Sequence, residues 1–290
     1  MSHNGFVENA YELLGMRMKP DSNFEHEYLT GQLKPTFGAL FETFSQANDK
    51  AMSNLPFEVD LVYGTHERQR YDLCLSNTPT KAVVVYLHAG YWQSRDKSQF
   101  RFLAEPIHAA GMTLALVNYP LCPDVSVREI TLMVQHVIPA IQERLSHLPK
   151  ETPWILCGHS AGAQLVVEMA LSLQRTLSTA PNIRGILGIG GVYELTPLIH
   201  TTLNNKLRLD EPSAIAASPV RRIHGQLPRA IFVAGGLETS SFHQQSADMA
   251  HAWKQAGNDA RCVVLPDKDH FSILWGQDFW DVLLQLADPT

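Results

Sequence analysis

The sequence predicts an α/β fold, a mostly parallel central sheet with helices on both faces. Two patterns carry that prediction. Short, continuous apolar and β-branched runs alternate with longer segments of helical period. One serine also stands in a glycine-bounded pentapeptide between such a run and a helix-forming segment. The length of 290 residues fits a single large domain spanning 1–290.

Residues 1–56 read as a helical extension outside the sheet: Pro35 and Gly38 punctuate it, while Phe41, Phe44 and Met52 recur at helical spacing. Residues 58–63 and 71–75 both alternate polar and apolar side chains around a polar segment containing Gly64. That pattern predicts an antiparallel hairpin at a sheet edge. Parallel strands follow over 82–87, 112–117, 154–157, 185–189, 230–234 and 261–265, with helices over 100–110, 125–145, 163–173, 242–256 and 278–286. Residues 193–228, rich in Pro, Asn and Ser, interrupt this alternation and read as a small cap-like excursion, a candidate lid, covering the sheet's edge.

Apolar residues make up 45% and charged residues 18% of the chain, an ordinary globular balance that excludes collagen-like and disordered classes. Lys plus Arg number 23 against 29 for Asp plus Glu, giving a net charge of -6. Such a surface offers little to nucleic acid or anionic lipid, so neither is expected as a partner. Cys74, Cys122, Cys157 and Cys262 form no close pair and read as buried reduced thiols. The first nineteen residues carry Glu8 and Glu12 and match no secretory signal, and no stretch reaches the length of a membrane helix. A cytoplasmic location is expected.

The informative pentapeptide is Gly158-His159-Ser160-Ala161-Gly162, directly after the strand-like Trp-Ile-Leu-Cys run. A serine on a tight strand-to-helix turn is held above the carboxyl edge of the sheet, and the two glycines remove Cβ atoms where strand and helix cross. Ser160 is thus the candidate nucleophile. A serine hydroxyl is a weak nucleophile at neutral pH, so it needs a base, and the base needs a carboxylate to orient it. Glu238 follows the strand over 230–234, and His270 follows the strand over 261–265, in the chain order serine, acid, histidine. Asp267 and Asp269 share the short loop of His270 and are badly placed to fold back onto its ring. Charge on a tetrahedral intermediate must be met by preset N–H groups. The backbone amide of Ala161 is one, and the loop His88-Ala89-Gly90-Tyr91-Trp92 supplies the others through Gly90 and Tyr91. His88 is expected to brace that loop by hydrogen bonding.

With these segments in place, the sequence resembles the α/β-hydrolase superfamily, and within it the branch of kynurenine formamidases and related bacterial esterases. The likeness rests on residues 88–93, followed by Asp96-Lys97, and on residues 118–123, Asn-Tyr-Pro-Leu-Cys-Pro. Glu238 with Phe242, Gln245 and Ser246, residues 191–195 and Ser218-Pro219 extend it. Two departures stand out: Ala89 occupies the place of the loop's first glycine, and the acid is Glu where many relatives carry Asp.

The resemblance implies a serine hydrolase acting through an acyl-enzyme on a small-molecule acyl substrate, with no metal or organic cofactor, and it allows a homodimer. The expected reaction is hydrolysis of N-formyl-kynurenine to formate and kynurenine. The alternatives are a general small-acyl carboxylesterase or thioesterase, and a hydrolase-fold binding protein without chemistry. Tyr91, Trp92, Tyr119 and Tyr193 are candidates to line the leaving-group side, with packing the better role for Tyr119. His3, His26 and His66 fall outside metal-ligand spacing.

Overall fold

The computed structural model describes residues 21–77, 79–174 and 181–287. Its eight strands are β1 (Phe57–Val62), β2 (Arg70–Cys74), β3 (Val83–Leu87), β4 (Thr113–Val117), β5 (Trp154–His159), β6 (Ile183–Ile189), β7 (Arg229–Gly235) and β8 (Ala260–Leu265). They form one sheet in the order β1-β2-β4-β3-β5-β6-β7-β8. The β1–β2 and β2–β4 pairs are antiparallel, and every later pair is parallel. The expected hairpin is therefore present at the sheet edge.

β3 and β4 are buried along their whole length, as a parallel strand covered on both faces must be. Successive side chains divide between two cores. On one side Val83, Val85, Leu87 and Leu156 pack with α4 (Val127–Val134), α5 (Val137–Arg144), α6 (Ala161–Leu173) and α9 (Ser240–Gln255). On the other, Val84, Tyr86, Ile155 and Cys157 pack with α2 (Phe37–Asn54), α3 (Ala104–Ala109) and α10 (Gln277–Ala287).

Several expectations need correction. The helix expected over 125–145 divides at Gln135–His136 into α4 and α5. Pro139 lacks the N–H that would have bonded the Gln135 carbonyl, and it is tolerated because it lies in the first turn of α5, where that donor is not needed. The helix over 100–110 begins as a 3-10 helix, Lys97–Leu103, before α3. In the N-terminal extension, α1 (Ser22–Tyr28), a 3-10 turn (Thr30–Gln32) and α2 are described, and residues 1–20 lie outside the described residues. Cys74, Cys122 and Cys157 are buried, but Cys262 is exposed because β8 is an edge strand.

The excursion also differs from expectation. It leaves the carboxyl end of β6, in the interior of the sheet, and holds α7 (Asn204–Leu207), α8 (Glu211–Ala216) and two 3-10 turns, Thr196–His200 and Pro219–Arg222. Its 3-10 turns pack against α1, α6 and α9. Gln245 fastens its root: Oε1 accepts from the amides of Tyr193 and Glu194, both at 2.8 Å, and Nε2 donates to the Glu194 carbonyl at 2.9 Å. Ser218 Oγ accepts from the Leu195 amide at 2.8 Å and donates to the Ala214 carbonyl at 2.7 Å. Among the described residues, no helix is long and apolar enough to cross a membrane.

Candidate active site

β5 runs into α6 through a single residue, Ser160, whose backbone sits at φ 55, ψ -116. A non-glycine residue there costs about 1–3 kcal/mol and persists only when its surroundings impose it. Here they do: the Ser160 amide donates to the Ile189 carbonyl at 2.7 Å, and the Ser160 carbonyl accepts from the Ala163 amide at 3.0 Å. The flanking glycines are steric requirements. A Cβ on Gly158 would lie 2.2 Å from the Gly162 carbonyl oxygen, and one on Gly162 would lie 2.1 Å from the carbonyl oxygen of Leu87. Backbone cannot give way as a side chain can, so Gly162→Ala is expected to lower unfolding free energy by more than about 3 kcal/mol, read as a shift in denaturant midpoint at constant m-value.

Glu238 and His270, 32 positions apart in sequence, meet in the fold: His270 Nδ1 lies 2.6 Å from Glu238 Oε1. A carboxylate oxygen accepts, so Nδ1–H donates, and in a neutral ring Nε2 is then the nitrogen free to take up a proton. The second carboxylate oxygen, Oε2, accepts from the Gly235 amide at 2.7 Å. Gly190, at φ 48, makes room for the pair, since a Cβ there would come within 2.9 Å of Glu238 Oε1 and 3.1 Å of His270 Nδ1. Neither rival acid bonds the His270 ring. Asp267 is exposed, and Asp269 Oδ1 accepts from the amides of Phe271 and Ser272 at 3.0 and 2.8 Å.

His159 joins the two segments, a contact that sequence reasoning missed. Its Nε2 lies 2.7 Å from the His270 carbonyl, and a carbonyl can only accept, so Nε2–H donates. The two rings sit 4.8 Å apart. Burial, then the neighbouring His270, holds the His159 ring well below the ordinary histidine range, so it serves as a neutral brace. The residue beside Ser160 thereby grips the backbone of the base. Ser160, Glu238 and His270 are 1%, 7% and 5% exposed, so the cluster lies beneath covering segments. Ser160 Oγ makes no hydrogen bond among the described residues.

The loop after β3 turns through three successive left-handed residues, Gly90 (φ 132), Tyr91 (φ 49) and Trp92 (φ 57). Gly90 admits no side chain, because a Cβ would lie 2.2 Å from the Ser94 carbonyl oxygen. The amides of Gly90 and Tyr91 have no acceptor among the described residues. Ala161, first residue of α6, likewise has no carbonyl one turn back within its helix. His88 braces the turn as expected: Nδ1–H donates to the Ala89 carbonyl at 2.7 Å, and the ring stacks 4.4 Å from Tyr119. Burial lowers its pKa to about 4. The far end is anchored by Lys97, whose amide donates to Asn118 Oδ1 at 2.7 Å and whose buried ammonium lies 2.7 Å from both Asp60 and Asp72. Arg95 spans to the histidine loop, its guanidinium 4.2 Å from the Phe41 ring centroid and 5.1 Å from that of Phe271.

The four aromatic candidates differ in their surroundings. Trp92 and Tyr193 are fully buried. Trp92 Nε1 donates to Gln164 Oε1 at 3.1 Å, and Tyr193 stands edge-on to Phe232 at 5.4 Å. The Trp92 indole thus has the polar partner its burial requires, whereas the buried Tyr193 hydroxyl makes no hydrogen bond among the described residues. Tyr119 packs, as expected, and donates to the His88 carbonyl at 2.7 Å. Tyr91 alone of the four is partly exposed. Among the described residues, no group of three or more His, Cys, Asp or Glu is placed to hold a metal ion.

A family profile described as the alpha/beta hydrolase fold matches residues 84–274. Kynurenine formamidase of Danio rerio is 29% identical over 244 residues, which cover 81% of this chain and 82% of that protein. The Salmo salar kynurenine formamidase is 27% identical over 250 residues, 83% of each chain. Among solved structures, one assigned as a thioesterase from a Silicibacter species has 27% identity and a TM-score of 0.76, covering 92% of this chain and 95% of that one. An esterase of the bacterial hormone-sensitive lipase family shares the fold at 18% identity, with a TM-score of 0.66 over 88% of this chain and 97% of that one.

Proposed function

This chain belongs to the α/β-hydrolase fold family, and we propose that it is a serine hydrolase of formamidase or esterase type with Ser160 as nucleophile. The observation that carries the reading is the buried Glu238–His270 pair at 2.6 Å, tied through the His159 ring to a strained serine that has no hydrogen-bond partner among the described residues. Substrate entry brings the Ser160 hydroxyl and His270 Nε2 into hydrogen-bonding reach, a contact that often tightens only in the substrate complex. As Oγ attacks the acyl carbon, its proton passes to Nε2, and Glu238 stabilises the imidazolium through Nδ1–H. The amides of Gly90, Tyr91 and Ala161 meet the oxyanion, each worth about 3 kcal/mol of barrier. His270 then protonates the leaving amine or alcohol. Water, deprotonated by the same ring, releases the acid and restores Ser160.

For the substrate we infer an aryl formamide, hydrolysed to formate and an aryl amine as in the kynurenine formamidases that the chain resembles over four fifths of its length. In this reading the chain is one domain, with residues 193–228 as the cap. The thioesterase and esterase neighbours favour a second reading, a small-acyl esterase. The two separate on one purified sample: kcat/KM for N-formyl-kynurenine is expected to exceed that for p-nitrophenyl acetate by more than about tenfold, some 1.4 kcal/mol of differential transition-state binding. Turnover of short esters alone would remove the formamidase assignment.

A further inference from the structure

The acid loop and the oxyanion turn are held by the same short N-terminal segment. Thr239 occupies the N-cap position of α9, yet its side chain makes no capping bond. Its hydroxyl instead donates to the Glu27 carbonyl at 2.6 Å and accepts from Gln32 Nε2 at 2.6 Å. The cap comes from α1: Glu27 Oε2 accepts from the Ser241 amide at 2.8 Å and from Ser240 Oγ at 2.9 Å. A carboxylate at this point satisfies a first-turn amide and faces the positive end of the sixteen-residue helix. Burial pushes the Glu27 carboxyl up, but the bonds from Ser241 and Ser240 outweigh it and hold the group below the ordinary range.

Glu238 directly precedes this cap. The adjacent Tyr28 reaches the other half of the site: its carbonyl accepts from the Tyr91 hydroxyl, and its own hydroxyl accepts from Gln245 Nε2 at 3.0 Å. The fit against Thr239 is close, since a Cβ on Gly31 would meet Thr239 Cγ2 at 2.8 Å. Residues 27–32 therefore touch the residue after the acid and the side chain at the oxyanion turn together.

We propose that Glu27 is a positioning residue of the hydrolase site, capping α9 from α1 so that the loop over 235–239 holds Glu238 against His270, with Tyr28 fixing the oxyanion turn to the same strap. This rests on the assignment of Ser160, Glu238 and His270 above. The test uses the full chain, p-nitrophenyl acetate turnover, and the rate at which a fluorophosphonate labels Ser160.

Glu27→Ala is expected to lower kcat and the labelling rate about tenfold with KM within about twofold, and Glu27→Gln, which keeps an acceptor oxygen, to recover part of the loss. In a Glu238→Gln background the same Glu27→Ala change should slow labelling by less than about twofold, because the group it positions is already disabled. Equal slowing in both backgrounds, a change confined to KM, or unaltered kcat in Glu27→Ala overturns the proposal. Wild-type protein that turns over the ester without labelling at Ser160 overturns the underlying assignment instead, before any Glu27 variant is made.

Discussion

Replacing Ser160 by alanine is expected to lower kcat by about 10⁴- to 10⁶-fold while leaving the fold as stable as before or slightly more so. The loss follows from removing the atom that attacks, and the residue of activity is what the oxyanion amides and substrate binding supply without it. The stability effect has a separate cause. Ser160 Oγ is buried without a hydrogen-bond partner among the described residues, and deleting such a group relieves a desolvation penalty of about 1 kcal/mol or more. Alanine keeps the β-carbon and therefore the strain at φ 55. Steady-state kinetics and a thermal melt on the same preparation check both halves. A large loss of activity accompanied by a lower Tm would mean that the hydroxyl is structural.

Glu238→Gln is expected to lower kcat by about 10⁴-fold. The carboxylate has two oxygens with fixed duties, Oε2 accepting from the Gly235 amide and Oε1 facing His270 Nδ1. Glutamine has only one oxygen. If its NH₂ faced Gly235, two donors would meet, so the oxygen takes that place and the NH₂ turns to His270. Nδ1 must then accept, the ring hydrogen moves to Nε2, and the nitrogen needed to take the serine proton is occupied. The substitution preserves shape and burial, so protein yield and KM should change little. A Glu238→Gln enzyme within about tenfold of wild type in kcat would show that the carboxylate does not set the tautomer.

Much of this arrangement was legible in the sequence because local rules and the fold agree. The short apolar runs over 82–87 and 112–117, too short for a buried helix, form strands buried on both faces. The serine turn declared itself through Gly158 and Gly162, whose hydrogens fill spaces that no side chain fits. Glu238 and His270 were found from their places after β7 and β8, and the fold brings them together.

What escaped were contacts set by tertiary packing. The contacts of Trp92 with Gln164 and of Tyr193 with Phe232 join distant segments that no local pattern connects. His159 is merely the second position of the pentapeptide until the His270 carbonyl arrives at 2.7 Å. Pro139 could have signalled the division between α4 and α5, had the apolar periodicity not run through it. The link from Glu27 to Ser241 spans 214 positions, beyond the reach of any local pattern.

The central claim is that Ser160 is a nucleophile activated by His270 and Glu238, and covalent labelling tests it most directly. Wild-type protein treated with a fluorophosphonate, digested and mapped by mass spectrometry should carry the label on Ser160, with labelling abolished in Ser160→Ala and slowed by orders of magnitude in Glu238→Gln. Label on another residue, or an unlabelled protein that still hydrolyses its substrate, would contradict it.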